Sequence, residues 1–250
     1  IILNENRPLR DRSIQEHYAP GSTFKAITAL AALEEKVIDE KTSYPCKGKL
    51  KLGNRTFHCW KKSGHGDVDV IKALKESCDV FFYQIAKKMS IDTLAEYARA
   101  FGVGSRTGID LKRETTGLMP DSDWKEKRFG RSWQGGETLG CSIGQSYVLM
   151  TPIQIAVAYA ALANGGKIFK PNLIKEVFSV FGEINQKFSP KIKSEIKMNP
   201  KNLELIRKGL FSVVNEKGGT AYWYRPKNVT MSGKTGTSQV KSFSAQDIYK

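Results

Sequence analysis

Apolar residues recur with a helical period in several stretches of the chain. Where they fall three and four positions apart, they predict helices with one buried face. Thr151-Pro152 and Asn199-Pro200 add a capping residue and a first-turn proline, and a glycine pair follows each stretch. The pattern predicts helices over residues 22–37, 69–88, 90–101, 151–164 and 200–215.

Strand-like stretches lie around these helices. The segment KLKLGNRTFHC predicts a hairpin that turns at Gly53-Asn54, and a second hairpin is predicted around Gly182. Residues 221–240 are expected to form two further extended segments. Residues 102–150 are rich in Gly, Asp, Ser and Trp with little periodicity, which is typical of long functional loops.

The order of these elements predicts the fold class. We expect an α+β fold, an α/β sandwich in which a helical lobe at about residues 40–165 is inserted into a central antiparallel sheet. The flanking segments would build the sheet lobe. No internal repeat, low-complexity tract or Pro/Gly/Ser linker divides the chain, so residues 1–250 are interpreted as one domain.

Composition narrows the class of protein without identifying it. The chain has 250 residues, 40% hydrophobic and 26% charged, which is ordinary for a globular protein. No run of about 18 apolar residues predicts a membrane span. The net charge of +15 either attracts anionic partners, such as acidic lipids or cell-wall polymers, or reflects a solvated lysine-rich surface. Because no nucleic-acid-binding module is recognisable, nucleic acid is not an expected partner.

The stretch YAPGSTFK begins the first predicted helix and contains a Ser-x-x-Lys motif at Ser22 and Lys25. One helical turn places the two side chains on the same face. Two interpretations are open: Ser22 caps the helix while Lys25 is solvated, or Ser22 is a nucleophile that Lys25 deprotonates. The same motif begins at Ser122, Ser194 and Ser238, so the pattern alone does not decide.

Two further motifs favour a nucleophile. A Ser-Cys-Asp motif at residues 77–79 interrupts a predicted helix, and a Lys-Thr-Gly-Thr motif at residues 234–237 lies on a strand-like segment. A serine hydroxyl needs a nearby base, and a lysine amine is a base only when it is neutral. Desolvation or a neighbouring cation favours the neutral amine, and Lys234 would supply that cation to Lys25 across a cleft. Ser77 would then relay a proton to a leaving amine.

The Lys-Thr-Gly-Thr motif also suits a peptide substrate. Gly236 keeps the strand edge slim, so that a substrate backbone can approach it. The hydroxyls of Thr235 and Thr237, with Lys234, suit the terminal carboxylate of a peptide. The backbone N–H groups of Ser22 and Thr237 would form an oxyanion hole.

The order and context of these motifs match a known family. PGSTFK, ESCDVFFYQ and GKTGTSQV resemble the motifs of the penicillin-binding, active-site-serine transpeptidases. The segments CWKKSGHG, TGIDL, GLMPDSDWKEKRFG, SIGQSYVLMTPIQIA and GGTAYWY narrow this resemblance to the transpeptidase domain of elongation-type class B enzymes, the penicillin-binding protein 2 family. The resemblance runs from about Pro8 to Val240.

The resemblance implies a D,D-transpeptidase that cross-links peptidoglycan stem peptides through a serine acyl-enzyme and is acylated by β-lactam antibiotics. It implies no cofactor for this chemistry. It also implies a periplasmic location and an N-terminal membrane anchor and pedestal domain outside this sequence. A membrane glycosyltransferase of the shape, elongation, division and sporulation family would be the partner.

Other functions stay open beside this one. A D,D-carboxypeptidase or a serine β-lactamase would hydrolyse the acyl-enzyme, and a penicillin-sensing domain would carry the same motifs without catalysis. A basic, zinc-stabilised nucleic-acid-binding module would explain the charge and the cysteines, but it would leave three ordered motifs to coincidence.

Two features depart from the family pattern. The second motif usually ends in Asn and here ends in Asp79, a variant that elongation-type members also show. A carboxylate near Lys25 favours the charged amine and so opposes its role as a base. The chain also stops shortly after residues 234–237, and we expect further strands and a C-terminal helix of the fold to lie outside this sequence.

Cys46, Cys59, His65 and Cys78 follow the pattern C-x12-C-x5-H-x12-C. Three thiolates and an imidazole suit a structural, tetrahedral zinc ion, and the zinc ligands of some elongation-type relatives fall on these four positions. The alternatives are three buried thiols, or one disulfide with a leftover cysteine. Cys141 is interpreted as a packed thiol.

Two other segments have weaker interpretations. The GQSY segment at residues 144–147 either lines the substrate cleft or only forms the turn before a helix, and the turn is favoured. Trp60 adjoins the proposed metal loop, and this position is the only reason to assign it a functional role. Aromatic residues are more often part of the core.

Overall fold

The computed structural model describes residues 8–237. Two 3₁₀ turns, Gly21–Phe24 and Tyr222–Tyr224, accompany the α-helices. The α-helices are α1 Arg12–Gln15, α2 Lys25–Glu34, α3 Val70–Lys75, α4 Asp79–Ala86, α5 Ile91–Ala100, α6 Ser122–Phe129, α7 Gly135–Ser142, α8 Pro152–Asn164 and α9 Pro200–Asn215.

Local sequence explains where the predicted helices begin and end. Helix α8 starts with a capping box, in which Thr151 and Gln154 each accept a hydrogen bond from the other's backbone N–H, and it ends at Gly165 in the left-handed region. Asn199 caps α9 in a similar way, with Pro200 in the first turn. The helices predicted over residues 90–101, 151–164 and 200–215 are confirmed as α5, α8 and α9.

Two predictions about helices were wrong in detail. The helix predicted over residues 69–88 is two helices, α3 and α4, because Ser77 adopts a left-handed conformation with φ +55° between them. The region of residues 102–150, predicted as loops, contains α6 and α7. Helix α6 is capped by Asp121 and ended by Gly130, but its sequence carries almost no apolar face that would reveal it.

The strands pair as short antiparallel ladders, which confirms an α+β fold. The hairpins predicted at Gly53-Asn54 and around Gly182 are the pairs β2–β3 and β6–β7. Within residues 8–237 the ladders remain separate two-stranded sheets. The strands are β1 Tyr44–Cys46, β2 Lys49–Leu52, β3 Arg55–His58, β4 Gly66–Val68, β5 Lys167–Lys170, β6 Glu176–Phe178, β7 Ile184–Lys187 and β8 Lys191–Glu195.

Helix α2 lies at the centre of the core. It is buried from Lys25 to Leu33, and four alanines allow its neighbours to approach closely. Helices α4, α5 and α9 pack around it. Because the 3₁₀ turn Gly21–Phe24 runs directly into α2, the first motif is anchored to the most buried helix of the described chain.

The segment that follows α9 differs from its prediction. Extended segments were predicted over residues 221–240, but residues 222–224 form a 3₁₀ turn, and no strand is assigned in residues 225–237. Residues 238–240 lie outside the described range. No helix in residues 8–237 has the length and apolar character needed to cross a bilayer.

Candidate active site

The turn that carries Ser22 is fixed from several sides. Gly21 N–H donates to the carbonyl of Gly144 at 2.8 Å, and the hydroxyl of Tyr159 donates to the carbonyl of Thr23 at 2.9 Å. Ser22 is half-buried within this turn. The N-cap position of α2 is Phe24, and no side chain caps it, so the structure does not bear out Ser22 as a helix cap.

Lys25 is completely buried at the start of α2. Its Nζ donates to the carbonyl of Ser77 at 2.9 Å, to Ser77 Oγ at 3.2 Å and to Asp79 Oδ1 at 2.6 Å. The ring of Phe82 lies 5.5 Å from the same nitrogen. Three acceptors match the three protons of an ammonium group, so the alternative in which Lys25 is solvated is wrong.

Ser77 and Asp79 are held where α3 ends and α4 begins. Asp79 is the first residue of α4, and its Oδ2 accepts the backbone N–H of Trp60 at 3.0 Å. The indole Nε1 of Trp60 donates to the carbonyls of Glu76 and Ser77 at 3.0 and 3.1 Å. The second motif is therefore bound to Lys25 on one side and to Trp60 on the other.

The third motif lies beside the first. A Cβ atom on Gly236 would meet the methyl group of Thr23 at 2.9 Å, so glycine allows this segment to approach the serine turn closely. The hydroxyl of Thr235 is 2.8 Å from that of Thr220, which ties the motif to the segment after α9.

Lys234 is electrostatically coupled to the other charges of the site. Burial, and after it the ammonium of Lys25, lower the pKa of Lys234 to about 7, while the carboxylate of Asp79 acts in the opposite direction. The Nζ of Lys234 donates to the carbonyl of its neighbour Thr235 at 3.2 Å. The structure thus gathers all three sequence motifs into one region.

The GQSY segment, residues 144–147, contacts the first and the third motif through Gly144 and Gln145. Gly144, with φ +68°, packs its Cα against the serine turn, and the amide of Gln145 donates to the carbonyl of Thr237 at 3.4 Å. The GQSY segment therefore forms the turn before α8 that was favoured from its sequence, and it also bridges the first and third motifs. The sequence shows a glycine and a glutamine side chain between α7 and α8, but it does not show that they contact Gly21 and Thr237, which are distant in the chain.

Cys46, Cys59, His65 and Cys78 form a second cluster beside the second motif. Their ligand atoms all lie within 4.8 Å of one another, and all four residues are buried. Cys46 ends β1, Cys59 follows β3, His65 precedes β4 and Cys78 stands at the N-cap of α4. All four cysteines of the chain are reduced thiols in the described range, so the disulfide alternative is not seen.

The geometry of this cluster fits a zinc ion. His65 Nδ1 is 3.5 Å from the sulfur atoms of both Cys46 and Cys59. Zinc–sulfur and zinc–nitrogen bonds of about 2.3 and 2.0 Å at a tetrahedral angle give an N···S edge of about 3.5 Å. A hydrogen bond from Cys78 lowers the pKa of Cys59 and raises that of Cys78, which shows how closely the two sulfur atoms approach.

Known proteins resemble this chain over most of its length. The family model of the penicillin binding protein transpeptidase domain matches residues 3–249. The peptidoglycan D,D-transpeptidase MrdA of Haemophilus influenzae is 38% identical over 254 residues, which cover 99% of this chain and 39% of that protein. The chain thus spans about two fifths of the length of that curated relative.

Solved structures agree with the family match. A penicillin-binding protein (PBP2) from Helicobacter pylori has a TM-score of 0.85 and 37% identity, covering 95% of this chain and 43% of that one. A structure described as "Structural coordination of polymerization and crosslinking by a peptidoglycan synthase complex" has a TM-score of 0.85 and 33% identity, covering 96% of this chain and 40% of that one.

Proposed function

Because the chain belongs to the family of penicillin-binding protein transpeptidase domains, we propose that it is the acyl-transfer domain of a peptidoglycan D,D-transpeptidase. The observation that carries the proposal is the convergence of the three motifs. Lys25 is hydrogen-bonded to Ser77 and Asp79, and Gly236 packs against the turn of Ser22. The proposed substrates are peptidoglycan stem peptides, and β-lactam antibiotics are proposed inhibitors.

In the first half-reaction, Ser22 Oγ attacks the carbonyl carbon of the penultimate D-alanine. Lys25, as the neutral amine, takes the hydroxyl proton. Asp79 Oδ1, 2.6 Å away, accepts a hydrogen bond from Lys25 Nζ and holds it in place. The bond to the terminal D-alanine breaks, and its nitrogen leaves with a proton passed from Lys25 through Ser77 Oγ, which is 3.2 Å from Nζ.

In the second half-reaction, an amine of a neighbouring stem peptide attacks the ester carbonyl. The attacking amine gives a proton to Lys25, a new amide bond forms, the bond to Ser22 Oγ breaks, and Lys25 returns the proton to Ser22 Oγ. The backbone N–H groups of Ser22 and Thr237 bind the developing oxyanion in both steps. Lys234, Thr235 and Thr237 bind the terminal carboxylate of the donor peptide.

We also propose that Cys46, Cys59, His65 and Cys78 hold a structural zinc ion. The ligand spacing and the buried donor set support this assignment. His65 Nδ1 is the ring nitrogen that faces the sulfur atoms of Cys46 and Cys59, and His65 Nε2 is buried without a hydrogen-bond partner in residues 8–237. A bound metal would tie the β1, β3 and β4 segments to the start of α4. No catalytic step passes through it.

The proposal extends to location and partners. We propose that the domain lies on the extracytoplasmic, periplasmic side of the cell membrane, where its substrate is found. A membrane glycosyltransferase of the shape, elongation, division and sporulation family is the proposed partner. The similarity to a chain of a peptidoglycan synthase complex supports an assembly of this kind.

The test is acylation by a fluorescent penicillin, with the adduct located by peptide mass mapping. We expect one labelled serine, Ser22, and loss of labelling in Ser22→Ala and Lys25→Ala. Ser194 begins another Ser-x-x-Lys motif on the exposed strand β8, so Ser194→Ala is the matched control and should label normally. An acyl-enzyme that lasts for hours favours the transpeptidase, whereas rapid turnover would favour a β-lactamase. Labelling at another serine would refute the proposal.

A further inference from the structure

We propose that Trp60 is a positioning residue for acylation, which holds the Ser77 backbone so that Ser77 Oγ stays within reach of Lys25. This inference rests on the proposed function and concerns a residue outside the three motifs. It follows from the two N–H groups of Trp60, which bind the second motif at two separate points.

The contacts form a clamp around the break between α3 and α4. The carbonyl of Ser77 accepts two hydrogen bonds, from Lys25 Nζ at 2.9 Å and from Trp60 Nε1 at 3.1 Å. Asp79 is held in the same way, with Lys25 on Oδ1 and the Trp60 backbone N–H on Oδ2. Trp60 and Lys25 therefore fix both ends of the Ser77–Asp79 segment.

The conformation of Ser77 explains why a clamp is needed. The left-handed backbone conformation of Ser77, with φ +55°, costs about 1–2 kcal/mol relative to an ordinary conformation. A residue keeps such a conformation only where the surrounding structure imposes it. Rotation of this backbone would move Oγ away from Lys25 Nζ, which is now 3.2 Å distant. The indole N–H is one of the two donors that hold the carbonyl on which this orientation depends.

The exposure of Trp60 argues against a role in core packing. The residue is 59% exposed, so it buries little apolar surface, and its ring meets His65 edge-on with centroids 5.4 Å apart. What the side chain contributes is therefore mainly its hydrogen bond to the second motif.

The experiment separates binding of a penicillin from the acylation step. Trp60→Phe keeps an aromatic ring and the backbone N–H but removes the indole donor. Trp133→Phe is the matched control, because Trp133 Nε1 donates a 2.8 Å hydrogen bond to Thr138 Oγ1 away from the second motif. Stopped-flow measurements on the metal-loaded protein give the dissociation constant and the acylation rate at saturation, and zinc content and Tm are measured in parallel.

We expect Trp60→Phe to lower the saturating acylation rate about three- to tenfold, the equivalent of one hydrogen bond, with an unchanged dissociation constant and zinc content. Trp133→Phe should acylate at the parent rate. Replacement of Trp60 by benzothienylalanine, which keeps the shape of indole without its N–H, should reproduce the loss.

An acylation rate in Trp60→Phe equal to that of the parent would overturn the inference. So would a loss that Trp133→Phe shares, or one that follows only the fall in Tm. Failure of the parent protein to react with penicillin at all would instead reject the proposed function, and the inference with it, so the two failures are distinguishable.

Discussion

Lys25 Nζ and Asp79 Oδ1 lie 2.6 Å apart in a site where the lysine side chain has no exposed surface. The two residues are 54 positions apart in the chain. The ion pair therefore joins the buried start of α2 to the first turn of α4. It also places a carboxylate beside the proposed base.

Removal of the Asp79 carboxylate should destabilise the protein. A buried ammonium that loses its partner costs about 3–5 kcal/mol, so Asp79→Ala should lower the free energy of unfolding by about 3 kcal/mol or more. Asp79→Asn keeps an acceptor for Lys25 and should lose less. Urea denaturation at neutral pH measures both changes.

The control for this prediction is an ion pair at the surface. Lys170 and Asp110 are also 2.6 Å apart, but the Asp110 side chain is 77% exposed. Asp110→Ala should therefore change the free energy of unfolding by less than about 1 kcal/mol. Equal effects of the alanine substitutions at Asp79 and Asp110 would show that burial does not strengthen the Lys25 pair.

Substitution of Gly144 should disturb the serine turn. Gly144 has φ +68°, and a Cβ atom there would lie 2.3 Å from the carbonyl oxygen of Gly21 and 2.7 Å from Phe24 Cβ. Backbone strain and the clash together should cost about 2–4 kcal/mol in Gly144→Ala. Because the turn carries Ser22, the rate of penicillin acylation should also fall, which a fluorescent penicillin measures.

Gly182 provides the matched control for Gly144. It has φ +84° in the β6–β7 hairpin, and nothing lies within 4 Å of the position that its Cβ would take. Gly182→Ala should therefore cost only about 1 kcal/mol of strain and leave acylation unchanged. If both variants acylate like the parent, close approach at Gly144 does not hold the serine turn in place.

Features that depend on local sequence were predictable. The helices α5, α8 and α9 have apolar periodicity and caps, and the hairpin at Gly53-Asn54 has a turn signal between alternating residues. The three motifs were recognised because each is a short pattern of chemically distinctive residues in a fixed order. Their convergence was inferred from chemistry, since spacing along the chain says nothing about distance in the fold.

Features that depend on distant contacts were not predictable. The break at Ser77 lies within an amphipathic pattern, and the hydrogen bonds of Ser77 to Lys25 and Trp60 are made only in the folded chain. Helix α6 was missed because Lys125 is its only buried residue, so its sequence shows no apolar face. The role of Gly144 depends on Gly21, which lies far away in the sequence.

The cysteine–histidine cluster should bind one zinc ion per chain. Cys46→Ser should lose the metal, and its Tm should fall by several degrees, because the metal joins three strand segments to α4. Cys141 is a buried thiol outside the cluster, so Cys141→Ala should keep the zinc. Elemental analysis and calorimetry measure the two effects, and a metal-free protein with the Tm of the parent would contradict the zinc assignment.

The affinity for a penicillin should depend on the protonation of Lys234. Burial and the nearby Lys25 ammonium lower the pKa of Lys234 to about 7, so its charge is lost as the pH rises through neutrality. The proposed role of Lys234 is to bind a carboxylate, and this requires the charged form. The dissociation constant for a penicillin should therefore be lowest below pH 7 and should increase above it. Lys234→Arg keeps its charge over this range, so its dissociation constant for a penicillin should change little between about pH 6 and pH 9. If the dissociation constants of the parent and of Lys234→Arg increase in parallel with pH, the pH dependence belongs to another group.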